Sequence, residues 1–156
     1  MNMILESVLA FIGLVVGIFL AKFTKEEFKS GRKYFVLLCK VVLFVLIVYF
    51  LYLAEINLLI LGFVLGVLVA YFFSNIYFYL GLGVFSSLNV YVTFLVFLFG
   101  LPYGTLIYHQ KNLRKRILIS LLLFFVPALI LLVDVSTTLV FSFVAGALFM
   151  KFIRKL

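Results

Sequence analysis

Long apolar runs separated by short polar breaks set the elements of this chain. Residues 3–22 form one run, with Glu6 near its start and Lys22 at its end, and residues 34–54 form a second that stops at Glu55. Residues 117–133 and 136–151 are two more, divided at Asp134. Between Glu55 and His109 lie 53 residues, Ile56 to Tyr108, without a charged side chain. A membrane-crossing helix takes about 20 apolar residues. The four bounded runs therefore read as helices, and the uncharged stretch must hold one, two or three more.

Glycine spacing favours three. Gly13 and Gly17, Gly62 and Gly66, and Gly100 and Gly104 are Gly-x-x-x-Gly pairs, with Ser142 and Gly146 as a weaker fourth copy. Aligning the pairs superposes Glu6 on Glu55, with Asp134 one residue off. In the other direction it brings Lys22, Tyr71, His109 and Lys151 together or nearly so. The copies start 49, 38 and 42 residues apart, which suits repeated helical hairpins. The expected helices are 3–22, 34–54, 56–73, 76–90, 91–108, 117–133 and 136–151. The segment 76–90 is the weak one, because Gly81, Gly83, Ser86, Ser87 and Asn89 are poor helix formers. A six-helix chain, or a broken or re-entrant segment at 76–90, is the alternative.

Composition places these helices in lipid. The 156 residues are 68% hydrophobic and 12% charged, against about 45–50% and about 25% in soluble domains. The fold class expected is an all-α integral membrane protein, one transmembrane domain over residues 1–156. The first run lacks a basic flank and a small-residue cleavage site, so it is expected to stay in the mature protein.

Charge then orients the bundle. Of thirteen Lys and Arg, Lys40 stands alone and the rest form three clusters. These are Lys22, Lys25, Lys29, Arg32 and Lys33; then Lys111, Arg114, Lys115 and Arg116; then Lys151, Arg154 and Lys155. Basic loops mark the cytoplasmic side. All three clusters inside, with Glu6, Glu55 and Asp134 outside, require an odd number of crossings, an outward N-terminus and an inward C-terminus. The localisation expected is the cell membrane, multi-pass.

The remaining polar residues suggest structure before chemistry. Gly-x-x-x-Gly lets two helices approach closely, and internal packing is preferred over homo-oligomerisation. The three lone acids read as caps at helix N-termini, where free N–H groups and the dipole favour a carboxylate. Lys40 reads as snorkelling to the headgroups, and His109 as an interfacial cap. Thr24 to Glu27 matches a capping box, with Gly31 as a stop signal, predicting a short interfacial turn of helix there. Pro102 and Pro127 each remove one backbone donor inside a helix.

No metal-ligand spacing, phosphate loop or nucleophile–base set is present, so neither an enzyme, a metal site nor a cofactor is expected. The expected partners are the bilayer, with anionic headgroups against the basic face, and a membrane-protein partner or a second copy. Nucleic acid is not expected. Two function classes follow. One is a small permease or channel for a neutral or weakly polar solute, its cavity near Gly81, Gly83, Ser86, Ser87, Asn89, Thr93 and Pro102. The other is a non-catalytic accessory or scaffold subunit of a membrane complex.

Overall fold

The computed structural model describes residues 3–23, 28–54, 56–87, 89–110, 112–130 and 136–154. Among them lie seven α-helices: α1 (Met3–Phe23), α2 (Phe28–Leu53), α3 (Ile56–Phe72), α4 (Ile76–Ser87), α5 (Val90–Tyr108), α6 (Leu113–Ile130) and α7 (Thr137–Ile153). Three segments are long and apolar enough to cross a membrane: Leu5–Phe23, Gly31–Leu53 and Val90–Tyr108. The apolar parts of α3, α4 and α7 are shorter.

Side-chain caps fix where several helices begin. Asn75 Oδ1 accepts from the Tyr77 N–H at 3.0 Å, and Asn89 Oδ1 from the Tyr91 N–H at 2.9 Å. Ser136 Oγ accepts from the Leu139 N–H at 3.3 Å. Each cap satisfies a backbone donor that the first helical turn leaves free.

Two helices begin earlier than the apolar runs suggest. Gly31 lies inside α2 with no left-handed backbone, so it does not stop a helix there. Leu113 to Arg116 form the first turn of α6. Arg32 and Arg116 are therefore carried on rigid helices instead of loops. The proposed capping box at 24–27 lies outside the described residues, as do Glu55 and Asp134.

Glycines bring the helices together in two separate pairs. A Cβ on Gly13 would overlap the Phe97 carbonyl oxygen, and one on Gly17 the Leu101 carbonyl oxygen. Reciprocally, Gly100 meets the backbone of Gly13 and Leu14, and Gly104 that of Leu14, Gly17 and Ile18. Since partner numbers rise together, α1 and α5 run parallel. In the second pair Gly62 faces Ser142 and Leu139, Gly66 faces the Phe143 carbonyl, and Gly146 faces the Phe63 carbonyl. So α3 and α7 also run parallel. Backbones approach this closely only where no side chain holds them apart.

The other helices fill in around these pairs. α2 runs antiparallel to α5 and α7. It stacks Phe50 on Phe141 with ring centroids 6.1 Å apart, sets Phe44 near Phe152, and receives a 2.9 Å hydrogen bond at Tyr49 Oη from Asn89 Nδ2. α4 is one unbroken helix, which replaces the broken alternative, and nine of its twelve residues are buried. Its glycines are close-approach points: Gly81 against the α6 backbone at Phe124, Gly83 against the Phe50 ring. Twelve residues reach only about 18 Å, less than the hydrocarbon thickness of about 30 Å. α4 is thus an inner helix wrapped by others. Around it Phe11, Tyr77, Tyr103, Phe124 and Phe125 form a continuous aromatic cluster.

Candidate functional site

The polar cavities of the described structure lie at the end of the bundle that carries the basic residues. One has a volume of about 290 Å³ and draws on five parts of the chain. α2 contributes Arg32; the α3–α4 connection and the start of α4 contribute Ser74 and Ile76. α5 and the turn after it contribute Tyr103, Leu106, His109 and Gln110; α6 contributes Arg116; and the end of α7 contributes Lys151 and Arg154. A second cavity of about 420 Å³ shares Tyr103 and Arg116 and adds Asn75, Asn112, Lys115 and Ser120 among its walls.

The walls divide into a wet rim and a dry floor. Arg32, His109, Gln110 and Arg116 are exposed, whereas Ile76, Leu106 and Lys151 are buried. Lys151 is only 6% exposed. Its Nζ donates to the Ala70 carbonyl and to Ser74 Oγ, both at 3.3 Å. Arg154 donates to the Tyr71 carbonyl at 3.3 Å and lies 4.6 Å above the Tyr71 ring. The last turn of α3 leaves carbonyls without helical partners, and these two cations of α7 supply donors to them. His109 Nδ1 donates to the Thr105 carbonyl at 3.3 Å. Among the described residues, none that lines either cavity is a carboxylate.

The permeation candidates sit elsewhere. Gly81 and Gly83 are helix contacts, as described above. Ser86 Oγ donates to the Leu82 carbonyl at 2.6 Å and Ser87 Oγ to the Val84 carbonyl at 3.3 Å. Asn89 caps α5 and donates to Tyr49. Buried Thr93 donates to the Asn89 carbonyl at 3.2 Å, and the Pro102 carbonyl accepts from Thr105 Oγ1 at 2.7 Å. These hydroxyls are spent on their own helices, and none of the seven residues lines either polar cavity.

Of the basic surface residues, Arg32, Arg116, Lys151 and Arg154 converge on the first cavity and Lys115 lines the second. Lys33 and Arg114 are exposed and line neither. Lys25, Lys111, Lys155 and the side chain of Lys29 lie outside the described residues. Lys40 is half-buried with Nζ 5.7 Å from the Phe152 ring centroid, a cation–π position. Glu6 lies in the first turn of α1, as a carboxylate at a helix N-terminus would; it is buried, and among the described residues its Oε2 has no hydrogen-bond partner.

Sequence reasoning missed Ser74, Gln110 and Tyr103 as parts of one site. A signal was present, since the glycine alignment brings His109 and Lys151 near one level, and both line the cavity.

No family model matches the chain, and neither a curated protein nor a solved structure proved similar to it. The functional reading therefore rests on geometry.

Proposed function

We propose that the chain is a seven-helix membrane protein with its basic end in the cytoplasm, working as a small permease whose solute enters the cavity at that end. Three helices of spanning length, an apolar exterior and basic residues gathered at one end support the membrane placement. The observation that carries the permease reading is where the cavity lies. It opens between the α1–α5 pair, through Tyr103 and Leu106, and the α3–α7 pair, through Lys151 and Arg154. Each pair is locked backbone to backbone, yet among the described residues the two pairs make almost no direct contact. α2 and α4 bridge them. Two rigid units with a polar cavity between them have the layout that rocking transporters use.

Single cysteines at Ser86, Asn89 and Thr93 in a Cys39→Ala chain test this with a membrane-impermeant maleimide. Alternating access exposes at least one of the three to the side opposite the basic end during turnover. Protection of all three from both sides would sink the permease reading.

A second reading, a non-catalytic scaffold subunit, draws on the outer face of α2. Two shallow apolar hollows of about 420 and 340 Å³ lie along it, at Tyr34, Leu38 and Val41 and at Phe44, Val48 and Tyr52. It predicts a fixed protein partner retained through purification in mild detergent, and a chain that purifies alone counts against it.

A further inference from the structure

We infer that the smaller cavity is a binding site for a phosphate group, presented by inorganic phosphate or a phosphomonoester solute, or by a lipid headgroup. The inference rests on the reading above for the end at which the cavity opens. A phosphate that binds and is never moved would leave it standing while the permease reading fell.

Charge is the first argument. Arg32, Arg116, Lys151 and Arg154 face one cavity, and among the described residues that line it none is a carboxylate. A buried cation without a counter-ion is unfavourable. Lys151 is buried, and its hydrogen bonds go to a neutral carbonyl and a neutral hydroxyl. Among the described residues the guanidinium groups of Arg32 and Arg116 make no hydrogen bond or ion pair; only the backbone N–H of Arg116 is engaged, donating to the Asn112 carbonyl. They also stand near the N-terminal ends of α2 and α6, where the helix dipole is positive and disfavours a cation. Like charges gathered in this way are stabilised by an anion between them. Four positive charges favour a polyvalent anion over a monovalent one.

Geometry is the second argument. The cations come from three helices, α2, α6 and α7, so backbone packing holds them around the cavity. A guanidinium offers a planar fork that matches phosphate oxygens two at a time. The apolar floor of Ile76 and Leu106 excludes water beneath the ligand and lowers the local dielectric. At about 290 Å³ the cavity stands at the small end of the roughly 300–1,000 Å³ usual for ligand pockets. That admits a phosphate with a few further atoms. It also moves the preferred solute from neutral to anionic.

The test uses the purified full-length chain in detergent and in lipid nanodiscs. Calorimetric titration with inorganic phosphate at low salt reads the soluble source. Retention of phosphatidic acid over phosphatidylcholine reads the headgroup source. Arg32→Gln and Arg116→Gln each remove one partner without breaking an internal bond, and each is expected to weaken binding about 10-fold or more. Lys33→Gln with Arg114→Gln removes two charges outside the cavity and is expected to change binding less than about 3-fold, because exposed charges are screened. Saturable phosphate binding lost in the cavity variants supports a soluble ligand. Selective phosphatidic acid retention lost in the same variants supports a headgroup. Absence of both, or an equal loss in the Lys33/Arg114 control, overturns the site.

Discussion

Replacing Gly17 by alanine adds one methyl group where two backbones touch. That carbon would stand 2.8 Å from the Gly100 carbonyl oxygen and 2.9 Å from the Leu101 carbonyl carbon, and would overlap the Leu101 carbonyl oxygen. All three obstacles are main-chain atoms of α5, so no side chain can turn aside. Non-bonded carbon atoms settle at about 3.5–4.0 Å, so α5 must retreat by on the order of 1 Å. A gap of 0.5–1 Å forfeits roughly a quarter to a half of each dispersion contact along the seam. Overpacking of this kind costs about 1–3 kcal/mol, and the better helix propensity of alanine offsets about 0.5–1 kcal/mol. The net loss is roughly 1–2 kcal/mol, a fall in Tm of about 2–8 °C for a chain of this size. Gly31→Ala is the internal control. Its added carbon meets only the Phe35 ring, at 3.4 Å, so the propensity gain stands and Tm rises by about 1–4 °C. Thermal unfolding of both variants in one detergent decides the matter. Shifts of the same sign would refute the reasoning that α1 and α5 meet through bare backbone.

Asn89→Ala removes a helix cap and the bond to Tyr49, so it should destabilise by about 1–3 kcal/mol, whereas Tyr49→Phe should lose about 1 kcal/mol. A double-mutant cycle then shows positive coupling, and strict additivity would disconnect the two residues. Cys39 is buried in the core, so a hydrophilic maleimide should leave it unmodified in the folded chain and label it after denaturation; fast labelling under native conditions contradicts that packing. A reporter fused at Asn112, in the exposed turn between α5 and α6, should report the cytoplasm. An outside signal there would reverse the orientation of α5 and α6 and remove the basis for an odd number of crossings.

Helix positions were largely legible in the sequence because charge breaks and apolar runs mark where a helix must leave an apolar environment. The starts of α2 and α6 were not, because the helices continue past their apolar stretches into basic segments. Hydropathy registers the loss of apolarity there and is blind to the hydrogen bonds that carry on. Gly31 misled for a related reason: glycine permits a stop and does not compel one. The glycine spacing pointed to close contacts but not to partners. Nothing local says that α1 meets α5 while α3 meets α7, since that choice depends on how α2 and α4 fill the space between. The polar residues of α4 drew attention to the end of the bundle away from the basic cavity. Their hydroxyls close onto carbonyls three or four residues back, an option that any helical serine has. The basic cavity instead depends on residues as distant as Arg32 and Arg154, and no periodicity links those.

The most direct test of the account places a single cysteine at Leu106, on the cavity floor, in a Cys39→Ala chain reconstituted into vesicles of known orientation. An impermeant thiol reagent should modify it from the cytoplasmic side, and phosphate or an anionic headgroup should slow that reaction. Modification from the opposite side alone, or protection from both, would contradict a cavity that opens at the basic, cytoplasmic end.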